Sequence, residues 1–448
     1  MILKLLERFS PQQNLLLGFT LYILIGALLL YMPFSQKGSI SFLDALFMSA
    51  SAVSTTGLAT VSTYDSFNNI GQSVIILLIQ IGGIGYMTFS SFLILTGGQK
   101  LMQWRQKLLN TEFSLPQNFI LKDFLKATIY YTIIIELVGM IALFITFKLY
   151  DVETTFALRS SFFHSISAFC TAGFGLYNDS FEQFKYNIPI NIILSVLSIL
   201  GALGFIVATD IYYKFTKTNH LITFTTKIIV SVFTILTTAG TLFMVVFEQS
   251  IQQETLANKI MISFFQVTTA ITTAGFNTIP IGGLTTAVLL IIIFMMYVGA
   301  SPAGTGGGLK STTLTACIAI VVSHLKGSVA VFFMNKQIPR ERVSIAAASI
   351  ILYTFLLFIG TLVLLCSEVK EIGLDKMFFE VASALGTVGL STGITSNLSV
   401  IGKLTIIFLM FAGRVGVINL GLALLKINDT NNVNTKTNDN PENADLVV

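Results

Sequence analysis

Long apolar stretches recur along the chain in pairs, and a shorter, half-apolar segment lies between the two members of each pair. A helix needs about 20 residues to cross the hydrocarbon layer, and each long stretch provides them. The short segments have only about 13 residues, too few to cross. The long stretches lie near 15–32 and 71–97, 126–147 and 188–212, 224–247 and 284–323, and 344–366 and 401–425. The short segments lie near 42–54, 157–170, 258–272 and 375–387. The pattern predicts eight membrane spans and four short helices that enter the membrane without crossing it.

One motif ends each of the four short segments. It centres on a glycine, with Thr two residues before it, Ala five before, Phe ten before, and Leu or Phe directly after. The glycines are Gly57, Gly173, Gly275 and Gly389, separated by 116, 102 and 114 residues. Four matches indicate one structural unit that is used four times in a single chain. We therefore expect the four units to surround a common axis.

These two patterns together predict the fold class. Non-helical backbone at membrane depth is tolerated only where protein or water surrounds it. Each repeat is therefore predicted to contain a membrane helix, a re-entrant pore helix, a loop and a second membrane helix. The predicted fold is an all-α integral membrane protein, with four tandem repeats and eight spans around a central pseudo-fourfold pore. We expect repeats at 15–97, 126–212, 224–323 and 344–427, a cytoplasmic leader at 1–14, cytoplasmic loops at 98–125 and 324–343, and a disordered cytoplasmic tail at 428–448.

Composition indicates that the protein lies in a membrane, and the distribution of charge indicates its orientation there. Hydrophobic residues make up 54% of the chain and charged residues 11%, which is too apolar for the surface of a soluble protein. Of the 26 Lys and Arg residues, 17 lie at the termini and in the loops around 98–126, 214–227 and 310–342. Positive residues concentrate on the cytoplasmic side, so both termini are predicted to be cytoplasmic and the glycine segments to face outward from the plasma membrane. The net charge of +4 is then an orientation signal, and no nucleic-acid partner is expected.

The glycine segments suggest how an ion could cross. Rings of backbone carbonyls can replace the hydration shell of a cation without fixed charge, and glycine permits the positive φ that aligns them. The partly negative C-terminal ends of the preceding short helices favour a cation. The segments 54–58, 170–174, 272–276 and 386–390 contain no charged side chain, which indicates a monovalent ion. The candidate filter residues are Thr55, Thr56, Gly57, Thr171, Ala172, Gly173, Thr273, Ala274, Gly275, Thr387, Val388 and Gly389.

These segments resemble degenerate copies of the TVGYG filter of potassium channels. Four such units in one chain resemble the Trk/Ktr/HKT superfamily of potassium transporters, and above all its KtrB-type members, the membrane subunits of bacterial Ktr potassium uptake systems. The likeness runs from about 15 to 426. It implies that K⁺ is the transported ion, that Na⁺ is a candidate activator, and that no nucleotide binds to this chain. It also implies a homodimer in membrane lipid, docked on a cytosolic ring of nucleotide-binding, KtrA-like subunits.

The second span of the third repeat contains a glycine-rich segment, 299–308, that a helix cannot accommodate. Glycine costs about 1 kcal/mol and proline about 3 kcal/mol in a helix interior, so this span is predicted to break. In the superfamily that the chain resembles, a loop at this level acts as a gate. The candidate gate residues are Gly299, Pro302, Gly304, Gly306, Gly307, Gly308 and Arg414. A hinge or a close helix contact without a gating role is the alternative, and a phosphate-binding loop is disfavoured because no strand precedes it.

Arg414 lies deep inside a predicted span, where a guanidinium costs about 2.5 kcal/mol or more without water or a partner. We expect it to face the pore and to repel K⁺ at the level of the gate. Pairing with Glu136, or reaching toward the interface, is the structural alternative. The predicted function is gated, passive K⁺ uptake. A secondary cation transporter that works by alternating access is the alternative, and an enzyme is not expected, since no span carries a catalytic constellation.

Overall fold

The computed structural model describes residues 9–85, 121–216, 221–328, 330–334, 336–369 and 372–425, together with single positions between 88 and 109. Each repeat has a first helix, a short helix and a second helix. The first helices are Pro11–Tyr31, Leu121–Leu149, Phe224–Phe247 and Arg340–Ser367. The short helices are Phe42–Val53, Thr154–Phe169, Leu256–Ile271 and Leu374–Gly386. The second helices are Asn69–Ile84, Ile188–Thr216, the pair Thr286–Tyr297 and Ser311–Leu325, and the pair Val400–Val415 and Val417–Leu424.

Minor elements connect these helices. The single-turn helices are Pro33–Ser35, Thr63–Ser66, Glu182–Phe184, Gln249–Ile251, Ile281–Gly283 and Thr395–Asn397. An antiparallel hairpin joins Phe332–Phe333 to Lys336–Gln337 within the loop predicted at 324–343. The first eight residues of the predicted leader, most of the loop predicted at 98–125, and the tail from 428 lie outside the described residues.

The spans follow the predicted fold of four repeats and eight crossings. Five described helices are long and apolar enough to cross a membrane alone. They are the first helices of all four repeats and the second helix of repeat 2: Pro11–Tyr31, Leu121–Leu149, Phe224–Phe247, Arg340–Ser367 and Ile188–Thr216. A sixth span is the pair Val400–Val415 and Val417–Leu424. The remaining two are Asn69–Ile84, which leads into residues outside the described part, and the divided helix of repeat 3.

Three first helices begin earlier than predicted. The helix of repeat 1 starts at Pro11 and not at 15, that of repeat 2 at Leu121 and not at 126, and that of repeat 4 at Arg340 and not at 344. The added residues include charged or amide side chains, which end an apolar stretch but do not interrupt a helix at its water-exposed end. Hydropathy therefore locates the membrane-embedded part of a helix and underestimates its length.

Burial separates a lipid-facing layer from an interior. Each first helix leaves large apolar side chains about half exposed, for example Leu21, Leu137, Leu242 and Phe358. Such continuous apolar surface is typical of a lipid-facing layer. The repeated phenylalanines on the short helices are instead at most 2% exposed; they are Phe47, Phe163, Phe265 and Phe379. The short helices therefore form the centre of the molecule, surrounded by the spans.

The second helices of repeats 1, 2 and 4 carry two glycines three residues apart, and the two have different roles. A Cβ on the first, Gly82, Gly201 or Gly413, would collide with a carbonyl in the last turn of the short helix of the same repeat. The second glycine has a left-handed backbone, with φ of 87° at Gly85, 84° at Gly204 and 89° at Gly416. The first glycine thus permits close packing and the second turns the chain. At Gly416 the two helices of repeat 4 are bent by 99°.

Candidate functional site

The four repeated glycines meet in one ring. Their φ angles are 96° at Gly57, 66° at Gly173, 75° at Gly275 and 93° at Gly389, a region that side chains rarely adopt. A Cβ on Gly173 would lie 2.9 Å from the carbonyl oxygen of Ala274 and 3.2 Å from the Cα of Gly275. Glycine is therefore required at these positions both by its backbone conformation and by the close approach of the next repeat.

The contacts in this ring are cyclic. A Cβ on each glycine would meet the carbonyl oxygen of the residue that precedes the glycine of the next repeat, and repeat 4 contacts repeat 1 in the same way. These carbonyls belong to Thr56, Ala172, Ala274 and Val388. Four equivalent carbonyl-bearing segments therefore surround one axis, which is the arrangement that coordination of a dehydrated cation requires. Eight of the twelve candidate filter residues form this ring, namely the four glycines and the residues that precede them, and the four threonines come directly before these in the chain.

Each filter segment begins with a threonine that caps the short helix. Its φ lies between 51° and 57°, a strained conformation for a β-branched residue. Its N–H donates to the carbonyl of the repeated alanine at 3.1–3.2 Å. The N–H of the residue after the threonine donates to the carbonyl of the residue before that alanine at 2.8 Å. The threonines are Thr55, Thr171, Thr273 and Thr387. In all four repeats, two hydrogen bonds of a helix C-cap, formed around a residue of left-handed conformation, thus fix the start of the filter.

A hydroxyl six residues before each glycine also supports the filter, and the sequence analysis missed it. In repeats 1 and 4 this hydroxyl oxygen accepts a hydrogen bond from the glycine N–H at 3.0 Å. In repeat 3 it accepts from the N–H of the residue after the glycine, Phe276, at 2.8 Å. In repeat 2 it donates to the carbonyl of the residue after the glycine, Phe174, at 2.7 Å. The four residues are Ser51, Ser167, Thr269 and Ser383. The sequence shows the regular spacing of these four residues. It does not show that their hydroxyl groups bond to the filter segment.

A cavity of about 340 Å³ opens on one side of the ring. All four glycines line it, as do hydroxyl and amide side chains and one carboxylate, that of Asp65. Asn178 links this carboxylate to Ser62, because its amide donates to Asp65 at 2.7 Å and its carbonyl accepts from Ser62 at 2.6 Å. A polar cavity with a fixed negative charge attracts cations and is suited to be the vestibule of a cation pore.

The loop 299–308 lies on the other side of the ring and touches the threonines of all four repeats. The Thr305 carbonyl accepts a hydrogen bond from the Thr55 hydroxyl at 3.2 Å, and the Thr305 hydroxyl lies 3.2 Å from that of Thr171. The Gly307 N–H donates to the Thr387 hydroxyl at 2.9 Å, and a Cβ on Gly306 would collide with the hydroxyl of Thr273. The loop therefore lies across the axis, directly beneath the filter.

Arg414 holds this loop from the side of repeat 4. Its guanidinium donates to the Thr305 carbonyl, to the Thr55 hydroxyl at 3.1 Å, and to the carbonyls of Gly82 and Gly83. Those two glycines belong to the second helix of repeat 1. One side chain thus ties the loop of repeat 3 to repeats 1 and 4, at the level predicted for a gate.

A second cavity, of about 520 Å³, lies beyond the loop. Arg414, Lys310 and the loop residues Pro302, Gly304 and Gly308 line it. The Lys310 amine donates to the Gly306 carbonyl at 2.8 Å, so a second basic side chain holds the loop from the cavity side. The filter and the loop together separate the two cavities.

Glu136 lies away from the axis, between helices. Its carboxylate accepts a hydrogen bond from the Gln80 amide at 3.1 Å and lies 3.8 Å from the Cys170 sulfur. These partners belong to the second helix of repeat 1 and to the end of the short helix of repeat 2. Glu136 therefore joins helices through hydrogen bonds and is not placed in the ring.

Comparisons with known proteins bear on the whole chain. Residues 13–436 match the family model described as "TrkH: Cation transport protein". The chain is 33% identical over 431 residues to Ktr system potassium uptake protein B of Bacillus subtilis, with 95% of each chain covered. It is 34% identical over 431 residues to potassium/sodium uptake protein NtpJ of Enterococcus hirae, with 94% of each covered. The crystal structure of the potassium transporter TrkH from Vibrio parahaemolyticus has the same fold, with a TM-score of 0.72 and 20% identity, over 93% of this chain and 85% of that one.

Proposed function

Because the chain belongs to the TrkH family of cation transport proteins, we propose that it is the ion-conducting membrane subunit of a Ktr-type potassium uptake system. The observation that carries the proposal is the closed ring of four equivalent, uncharged, carbonyl-bearing segments around one axis. Fixed carboxylates would favour a divalent ion, whereas a neutral ring of carbonyls suits the low charge of K⁺.

The path of the ion follows from the two cavities. K⁺ enters the cavity near Asp65, loses its water to the carbonyls of the ring, and waits above the loop 299–308. It reaches the second cavity when the loop moves aside. A membrane potential of 100 mV, negative inside, supplies about 2.3 kcal/mol per charge, so entry needs no chemical step on this chain.

The gate consists of the loop and the two basic side chains that hold it, those of Arg414 and Lys310. Opening breaks the hydrogen bonds of Thr305 and Gly307 to the filter threonines and moves the carbonyls that Arg414 and Lys310 contact. Because the loop bonds to the filter itself, closing it also orders the filter. A hinge without a gating role has no need of contacts with all four repeats.

A fixed pore suits this geometry better than alternating access. Carriers that rock around a central site are often built from repeats of opposite orientation. Here the four repeats run in the same direction and close a ring, in which moving one repeat would open the filter. This observation supports the pore over a secondary transporter.

The test is flux into vesicles that contain only the purified protein. Proteoliposomes with a K⁺ gradient should accumulate ⁸⁶Rb⁺ well above protein-free vesicles, and external K⁺ should compete far better than Na⁺. Na⁺ at fixed K⁺ should raise the rate if it is an activator. Equal competition by Na⁺ and K⁺, or no uptake with folded protein in either the presence or absence of Na⁺, would contradict the proposal.

The partners in this proposal are a second copy of the chain and a cytosolic ring of nucleotide-binding, KtrA-like subunits. The docking face is cytoplasmic, with both termini on that side, and includes the exposed Lys326, Lys336 and Arg340. Reversing these three charges should weaken association with the cytosolic KtrA-like subunits at low salt, whereas Lys37→Glu on the opposite face should not. Light scattering of the detergent-solubilised protein should give the mass of a dimer. A monomer, or equal association of both variants, would contradict this part.

A further inference from the structure

A buried carboxylate lies directly behind the filter of repeat 4. Glu380, on the short helix Leu374–Gly386, is fully buried. One of its oxygens accepts from the Ser391 hydroxyl at 2.5 Å, from the Thr392 N–H at 2.9 Å and from the Thr392 hydroxyl at 3.3 Å. The other accepts from the Thr395 hydroxyl at 2.9 Å. A buried carboxyl group has lost its hydration, and these four hydrogen bonds replace the water contacts that it lacks.

The braced segment continues directly from the filter. Ser391 and Thr392 follow Gly389 by two and three residues, and both Gly389 and Ser396 line the cavity above the ring. The start of the segment is held separately, because the Gly389 N–H donates to the Ser383 hydroxyl. The filter strand of repeat 4 is thus fixed at both ends from one short helix, at Ser383 and at Glu380.

The same position in the other repeats carries different side chains. Nine residues before the repeated glycine the chain has Met48, His164, Gln266 and Glu380. His164 braces its own repeat in a similar way, because its Nε2 accepts from the Leu176 N–H at 3.1 Å. This position therefore supports the outer end of the filter segment in repeats 2 and 4, and the carboxylate of repeat 4 accepts more hydrogen bonds than His164 does.

We propose that Glu380 is a positioning residue for ion selection, which holds the outer end of the repeat 4 strand so that the carbonyl ring keeps the spacing suited to K⁺. The proposal rests on the proposed function of the ring. A strand that loses its brace can move inward and coordinate the smaller Na⁺. Because Gly389 contacts the segments of both neighbouring repeats, loosening one strand affects the whole ring.

Three substitutions separate bracing from charge and from folding. Glu380→Ala removes all four hydrogen bonds, and Ser391→Ala removes one of them while the carboxylate stays. Glu380→Gln removes the charge but keeps an oxygen that can accept from Ser391 and Thr392. The matched control is Glu248→Gln, because Glu248 is equally buried and accepts from Ser250 and Thr285, away from the ring.

The readout is the ratio of Na⁺ to K⁺ concentrations that halve ⁸⁶Rb⁺ uptake into proteoliposomes, per amount of folded protein. For Glu380→Ala we expect this ratio to fall about tenfold, the equivalent of one net hydrogen bond to a charged group. Ser391→Ala should give a smaller fall, and Glu380→Gln one between the two. Glu248→Gln should keep the wild-type ratio.

Several outcomes would overturn the proposal. One is a wild-type ratio in Glu380→Ala or, if that variant does not fold, in both Ser391→Ala and Glu380→Gln. Another is a fall in Glu380→Gln as large as in Glu380→Ala with none in Ser391→Ala, which would make the charge and not the brace responsible. An equal fall in Glu248→Gln would reduce the effect to general destabilisation. A wild-type protein without K⁺-selective uptake would instead contradict the proposed function itself.

Discussion

Replacing Arg414 by alanine should increase K⁺ flux when the cytosolic partner is absent. The guanidinium contacts the loop at the Thr305 carbonyl, so a K⁺ ion that passes the loop comes close to a fixed positive charge. With an effective dielectric constant of about 20 and a separation of about 8 Å, two unit charges repel by roughly 2 kcal/mol. Each 1.4 kcal/mol is about a factor of ten, and water in the inner cavity weakens the repulsion, so we expect roughly a tenfold rise.

The assay is the initial rate of ⁸⁶Rb⁺ uptake into proteoliposomes, normalised to folded protein, with and without the ring subunits. Lys403→Ala is the matched control: it removes a positive charge from the same helix, but Lys403 pairs with Asp44 at 2.8 Å, away from the loop. Arg414→Lys should give an intermediate rate, because lysine keeps the charge and loses the forked hydrogen bonds. Selectivity for K⁺ should stay close to wild type, since Arg414 contacts the hydroxyl of Thr55 and not the carbonyls of the ring.

Unchanged or reduced flux in well-folded Arg414→Ala would refute this reasoning. It would assign Arg414 to joining helices, through Gly82 and Gly83, and not to the barrier. A rise in Lys403→Ala equal to that in Arg414→Ala would also refute it, because any lost charge would then suffice.

Three further outcomes are expected. Shortening the loop 299–308 should raise flux, most strongly without the partner, and lower flux in a well-folded deletion would indicate a hinge. Thr305→Ala removes a hydroxyl that donates to the Phe169 carbonyl at 3.1 Å, and the closed gate should weaken by about 1 kcal/mol, seen as a several-fold higher basal leak; an unaltered leak would count against the loop contacts. Gly416→Ala forces a side chain into a left-handed backbone and should destabilise the protein by about 1–3 kcal/mol in thermal unfolding, although a Cβ there meets nothing closer than 3.6 Å. No loss of stability would show that the bend at Gly416 can relax.

The sequence predicts the fold and the ring well because both repeat. The glycines, the capping threonines and the repeated phenylalanines appear in one register, and apolar length locates the spans. The closed ring, KtrB-like relatives and the TrkH fold agree with that interpretation. What a pattern cannot give is which repeat meets which. The contacts of Thr305 with two repeats, and of Gly307 with a third, arise only when four units close around an axis.

Side chains that do not repeat were also missed. Glu380 has no carboxylate counterpart in repeats 1 to 3, so no pattern singles it out, and its partners lie on a loop up to 15 residues further along. The two glycines in the second helices of repeats 1, 2 and 4 look alike in the sequence. Only the structure separates Gly82, which allows close packing, from Gly85, which turns the chain. Such differences depend on distances between segments and not on local preference.

The most direct test of the central claim is ion competition in the four single glycine-to-serine variants of the ring, Gly57→Ser, Gly173→Ser, Gly275→Ser and Gly389→Ser. Each variant places a side chain where the next repeat's backbone lies within about 3 Å, at a backbone conformation that costs about 1–3 kcal/mol for a residue other than glycine. We measure K⁺ affinity and Na⁺ competition for ⁸⁶Rb⁺ uptake per folded protein. Lower K⁺ affinity and weaker exclusion of Na⁺ in all four variants is the predicted result. Wild-type affinity and selectivity in all four would contradict the assignment of this ring as the selectivity filter.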